Sequence, residues 1–413
     1  MIRTTVAGLI LCFCLIAGVA PAAQTETVNG IPHISNGSTP AHEMQRLELR
    51  ELWRTGGDDD DDVFYGSIGN ITSDAASSIF ILDTQQSTVQ EFSPSGEWMG
   101  SLSREGDGPG EVRSPECVYL DQDGRLCFPV APVGSIVRVN RDNTPAESIA
   151  FSTGEGTDGG LTIPLAGSSA GDGLAIAAMR LFFGDDGKSR QHYFLSVCDA
   201  TGLEQSVLLE KDMIIDYTDF RMDEASMDFA WSRWIYGQDG KIYIAPERNE
   251  YRIEVRDARG KLERVITRDY DSYERDDYLR KRATTIIEGV AAYHGPPLQG
   301  LTIEDVEADI RDLWVDRDGY LWVRTSRGLA EKPDGAYAVL DVFAPDGTFD
   351  RQVAVLCDAD PYRDAMTMVN DGRVAVTMGS LDAWLTQQAV DRDEDDRAGE
   401  EPKTLEIIIY GRE

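Results

Sequence analysis

Leu313-Trp314-Val315-Asp316-Arg317-Asp318-Gly319-Tyr320-Leu321-Trp322-Val323 reads as two short apolar arms around an Asp-Gly turn. Period-two alternation on both arms predicts antiparallel strands. The glycine can take the positive φ that such a turn demands, because it has no Cβ to clash. The same figure returns in 118–128 around Asp123-Gly124, in 234–244 around Asp239-Gly240 and in 366–376 around Asp371-Gly372. Weaker copies centre on Asp172-Gly173 and on Ser77, where Ile71, Ile79 and Ile81 keep the spacing.

A second hairpin follows most copies. Val89-Gln90-Glu91-Phe92 turns through Ser93–Gly96, the run 193–198 through Asp199–Gly202, Ile253-Glu254-Val255 through Asp257–Gly260, and Leu340–Phe343 through Ala344–Gly347. Two hairpins make four strands, and the first turns recur at 77, 124, 173, 240, 319 and 372. Six such units predict an all-β chain, a six-bladed β-propeller with four-stranded blades. The last unit shows only three strands, while 46–53 supplies a spare one just ahead of the first unit. An N-terminal strand joining the C-terminal blade would close the ring and remove its open edges. Between the fourth and fifth units, Tyr278, Leu279, Ile286, Ile287 and Val290 fall at helical spacing. They predict a helical insert over about 273–295, with Arg280, Lys281 and Arg282 beside the apolar stripe.

Residues 1–22 combine Arg3, a short apolar run and Ala20-Pro21-Ala22, the pattern of a secretory signal peptide cut after Ala22. The expected division is therefore 1–22 signal, 23–43 extension and 44–413 propeller, in a secreted or periplasmic protein without membrane insertion. The 413 residues carry 73 Asp and Glu against 39 Lys and Arg, a net charge of −34. Such a surface repels nucleic acid and anionic lipid. An apolar fraction of 41% excludes wholesale disorder. Cys117, Cys127, Cys198 and Cys357 are too few for a disulfide scaffold. They read as buried thiols, with a Cys117–Cys127 bridge as the alternative.

Ser103-Arg104-Glu105-Gly106-Asp107-Gly108-Pro109-Gly110-Glu111, followed by Pro115, resembles the G-x-G-P-G-E signature of secreted bacterial six-bladed β-propeller proteins related to the NHL-repeat group. The specific motif covers about 78–120. The repeat pattern extends it over roughly 44–413, with 162–209 departing through its Gly, Ala and Ser content. The resemblance implies the fold and no single activity.

In a propeller the connections from the fourth strand of one blade to the first of the next share a face with the loops that join the first hairpin of each blade to its second. Ligands are expected there. Arg54, Arg104 and Arg268 each follow an outer strand by the same apolar-x-Arg pattern. They read as a ring of cations for an anion, or as pins holding neighbouring loops to carboxylates, Glu111 among them. Trp231, Arg233 and Trp234 are expected on the innermost strand of the fourth blade with Phe229 before them, Phe229, Trp231 and Arg233 sharing one side and Trp234 the other. That stripe would hold a sugar or peptide, or simply fill the space between blades.

The acidic runs 58–62 and 391–396 admit Ca²⁺, although 391–395 lacks the glycine and glutamate of an EF-hand loop. Four histidines, two of them ahead of the repeat, leave no three-His zinc site, and no Ser-His-Asp set is evident. The expected role is a monomeric binding or scaffold module for a protein, peptide or carbohydrate, with no catalytic residues and no required cofactor. The alternative is a divalent-metal lactonase or lyase drawing on Asn70, Glu116 and Asp228.

Overall fold

The computed structural model describes residues 23–58, 63–130, 134–151, 160–171, 173–294, 296–388 and 404–412. The expected signal peptide and nearly all of both acidic runs lie outside the described residues. The chain is mostly β. Three N-terminal strands, β1 (Gln24–Val28), β2 (Ile31–Asn36) and β3 (Gln45–Gly56), precede a series of four-stranded antiparallel meanders. The first is Ile68–Ser73, Ile79–Asp83, Thr88–Phe92 and Trp98–Leu102. The second is Tyr119–Leu120, Leu126–Val130, Ser135–Val139 and Pro145–Ala150. The third has longer strands, Leu161–Ala170, Gly173–Phe183, Lys188–Cys198 and Glu204–Asp216. The fourth is Trp234–Tyr236, Ile242–Ile244, Arg252–Arg256 and Leu262–Arg268. The fifth is Ile310–Val315, Leu321–Thr325, Ala336–Phe343 and Phe349–Leu356. The sixth is Ala365–Met368, Val374–Met378 and Glu406–Arg412, completed by β3.

β3 closes the sixth meander as its spacing predicts. Its second half runs antiparallel to 406–412, with Ile409 opposite Trp53. Its first half lies parallel to 353–356, so the fifth and sixth meanders share one eight-stranded sheet. The segment 23–43 holds more order than the repeat analysis anticipates. β1 and β2 form a hairpin, and β2 pairs in parallel with the outer strand of the fourth meander. Asn36 fastens it: its amide donates to Thr267 O and Gly347 O, and its carbonyl accepts from Phe349 N.

Packing follows from strand alternation. In Ile79-Phe80-Ile81-Leu82 every residue is buried, because the strand is covered on both faces. Ile79 and Ile81 join a core shared with the sixth meander, and Phe80 and Leu82 one shared with the second. Further cores lie between the second and third, third and fourth, fourth and fifth, and fifth and sixth. Contact therefore passes from each meander to the next and from the last to the first. The small residues of the third meander have a steric cause. A Cβ on Gly167 would stand 2.5 Å from the Tyr119 ring, and one on Gly173 would stand 1.9 Å from the Tyr236 hydroxyl. Tyrosines of both neighbouring meanders occupy the space that larger side chains would fill.

Among the described residues four helices interrupt the strands: α1 (Glu224–Met227), α2 (Asp277–His294), α3 (Ser326–Ala330) and α4 (Ser380–Gln387). α2 begins four residues later than the apolar spacing suggests. The Asp276 carboxylate accepts from Leu279 N and caps it there. Leu279, Ala283, Ile287 and Ala291 form its buried stripe, and Ile287 and Ala291 meet Met213, Ile215, Phe220 and Met222. Cys117, Cys127, Cys198 and Cys357 are all free thiols, and burial pushes each of them up. No described helix is long and apolar enough to cross a membrane.

Candidate functional site

The first strands of all six meanders, or the residues beside them, line one central cavity of about 320 Å³. Asn70, Tyr119, Ser168, Trp234, Trp314 and Thr367 represent the six in turn. Asn70 is spent on structure. Its amide donates to Val118 O and its carbonyl accepts from Val118 N, which locks the first meander to the second.

A second cavity, of about 290 Å³, opens beneath α2. Trp231 and Ser232 line both cavities, so the second lies at the mouth of the first. Its walls come from separate stretches of chain. The connection from the third to the fourth meander gives Glu224 and Asp228. The loop joining the fourth meander's first hairpin to its second gives Arg248. The connection to the fifth gives Arg275, α2 and Glu307, and the fifth meander's first strand gives Arg311.

The local folding is driven by charge pairing. Glu224, the first residue of α1, accepts from both terminal nitrogens of Arg275, from Arg248 and from Glu304 N, at 2.6 to 2.9 Å. Arg275 Nε donates to Glu307, whose other oxygen accepts from Arg311 at 2.7 Å. Burial raises both carboxyls. Arg275 and the Glu304 amide outweigh it at Glu224, and Arg311 and Arg275 at Glu307, so each is held below its ordinary value. Arg248 and Arg275 are thus satisfied within the protein.

Trp231 and Arg233 sit just ahead of the innermost strand rather than on it, because strand pairing begins at Trp234. Phe229 and Arg233 border the cavity beneath α2, Trp234 borders the central one, and Trp231 borders both. Arg233 is buried and pairs with Asp228 through both terminal nitrogens, leaving its buried Nε without an acceptor. Trp231 is 39% exposed and meets Phe229 and Tyr193 edge-on or tilted, with centroids 4.8 and 5.3 Å away.

The three arginines of the repeated apolar-x-Arg pattern do not meet. Arg54 pairs with Glu51 and Glu406 on an exposed edge. Arg268 pairs with the buried Asp341 and lies over Tyr251, Tyr270 and Phe349. Arg104 donates to Glu111. In that Gly-rich turn Glu111 also accepts from Gly108 N, which with Arg104 holds its carboxyl below the usual range. A Cβ on Gly106 would stand 2.0 Å from this carboxylate, so the turn needs glycine to fold the glutamate inward. The three residues considered for metal chemistry are not gathered either. Asn70 is closed on Val118 and Asp228 on Arg233, while burial alone raises the Glu116 carboxyl. That set does not fit a divalent ion. Among the described residues no group of three or more His, Cys, Asp or Glu is placed to hold a metal.

Repeat reading misses most of the cavity lining. Arg248, Arg275 and Glu307 lie in connections that carry no motif, and Arg311 is the second residue of a strand, ahead of its repeat pattern. The one signal for them is the basic cluster at 280–282 beside an apolar helical stripe, in a chain short of cations.

No protein-family model matches the chain, and no curated protein sequence matches it. Solved structures of similar shape include a candidate exported protein from Bacteroides fragilis, at TM-score 0.48 and 12% identity over 92% of this chain and 99% of that one. A member of the DUF4221 family from Bacteroides vulgatus gives TM-score 0.47 and 11% identity over 90% and 99%. A streptogramin B lyase gives 0.40 and 9% over 89% and 98%. Likeness at this level leaves each activity with its own protein.

Proposed function

We propose that this chain is a secreted or periplasmic six-bladed β-propeller that works as a monomeric binding module, with its ligand in the cavity beneath α2. The carrying observation is the cavity of about 290 Å³ at the mouth of the central one, roofed by the largest insertion in the repeat. Pockets of roughly this size and upward take small molecules, and a pocket walled by connections between repeats is the usual position for one. The cyclic contacts between successive meanders support the six-bladed reading. The signal-like residues 1–22 and the G-x-G-P-G-E resemblance support export within that propeller group.

A thermal-shift screen of the purified protein against neutral and acidic sugars, short peptides, Ca²⁺ and Mg²⁺ tests this. A ligand of the folded state raises Tm by mass action. The expected result is a rise with an organic ligand that disappears in Trp231→Ala. A Tm indifferent to every compound, or a rise unaltered in Trp231→Ala, counts against a site beneath α2.

A further inference from the structure

The cavity beneath α2 is cationic in a chain of net charge −34. Five arginines line it, Arg233, Arg248, Arg275, Arg282 and Arg311, against the three carboxylates Glu224, Asp228 and Glu307, an excess of two positive charges. The first three arginines are engaged as described above. The other two keep donors to spare. Arg311 gives one terminal nitrogen to Glu307. Among the described residues Arg282 gives only Nε, to Tyr362 O at 3.0 Å, with its guanidinium over the Tyr362 ring. Burial and then the Arg311 charge pull Arg282 down to about 10, against a weaker opposing pull from Glu307, so its charge is only partly compensated. Two guanidinium groups repelling one another in a partly open recess favour an anion between them, and their forked donors match carboxylate and phosphate oxygens.

We infer that the cavity takes a small organic dianion, a phosphate monoester or a dicarboxylate, with its charge held by Arg282 and Arg311 and its apolar part against Trp231. This rests on the cavity being the ligand site. Two negative charges answer the excess of two positive ones, and the half-exposed indole at the rim supplies an apolar surface that an inorganic ion would not use.

Isothermal titration of the purified full chain with glucose 6-phosphate, succinate and neutral glucose tests it. The expected result is binding of at least one dianion and not of glucose. The affinity should fall roughly tenfold or more in Arg282→Gln and in Arg311→Gln, as loss of a charge-assisted bidentate contact requires. It should also fall in about 0.5 M sodium chloride, where charge attraction is screened. Arg282→Lys, which keeps the charge and loses the fork, should retain part of the binding and guards against a glutamine variant that does not fold. Dianion binding unchanged by both glutamine substitutions overturns the assignment. Glucose binding in place of the dianions overturns the ligand class while the cavity remains a binding site. Silence of all three compounds overturns the dianion assignment, and the binding reading itself falls only if the thermal-shift screen is silent as well.

Discussion

Asp341 is buried in the fifth meander, and burial raises its carboxyl against the opposing pull of Arg268, Gln352 and Tyr251. Arg268 → Met removes the one full charge that compensates it and leaves hydrogen bonds from Tyr251 and Gln352 at 2.9 and 2.8 Å. Breaking a buried pair from one side costs about 3 to 5 kcal/mol, and chemical denaturation at pH 7 should show a loss of that order. The pH dependence has a definite sign. Without Arg268 the folded-state pKa of Asp341 rises further above its unfolded value. The protonated form is then tolerated, and the penalty appears as pH rises through the folded pKa. The deficit of Arg268→Met should therefore shrink on acidification. A deficit independent of pH would mean that lost ring packing, not the orphaned charge, dominates.

Glu224 behaves in the opposite sense. It and Glu307 are held below the ordinary value of 4.5, so their stabilisation is complete above that pH and is lost as pH falls through the depressed values. Glu224→Gln should be less stable than the parent at neutral pH and should lose less below pH 4.5. Parallel stability curves for the two proteins would refute this account of the cluster. The four Glu224 bonds were not legible in the chain order, because their donors come from residues 248, 275 and 304, on other connections.

At the scale of elements, α2 is an amphipathic cover held by a narrow stripe. Ile287 fills the contact with Met213, Ile215, Phe220 and Met222, and Ile287→Ala should cost about 2 to 4 kcal/mol locally. Amide exchange should then quicken in 277–294 while the meander strands keep their protection, since α2 shares few contacts with their cores. Uniform loss of protection throughout the sheets would show instead that α2 belongs to the cooperative unit. The existence of this helix was readable from its apolar spacing. Its start at Asp277 depends on the Asp276 cap. Hairpin β1–β2 was not readable, because both strands are short, β1 is exposed, and the partner of β2 lies 231 residues away, where Asn36 meets Thr267.

For the whole molecule, closure and charge pull in different directions. β3 ties the two ends of the chain, with Trp53 packed among Ile71, Phe92 and Ile407. A net charge of −34 pushes the same surface apart. Raising sodium chloride from about 0.02 to 0.5 M should raise Tm, because the Debye length shrinks from roughly 20 Å to 4 Å and screens that repulsion. Salt should weaken dianion binding over the same range. A Tm that falls with salt would show that the surface ion pairs outweigh the repulsion.

Apolar alternation about the Asp-Gly turns suffices to define the meanders, their order and the strand that completes the last. Each hairpin is a local device, whose turn and arms lie within about a dozen residues of each other. The helical cover is equally local, and so is the Gly-rich turn around Glu111. The cavity beneath α2 is a product of curvature. Residues from 224 to 311 meet only because the fourth and fifth meanders pack face to face and bring their connections to one rim. Which arginines are satisfied there, and which two are left facing the cavity, depends on distances of a few ångström between segments dozens of residues apart. Composition and spacing place no constraint on such distances. Packing of the closed β-structure sets them.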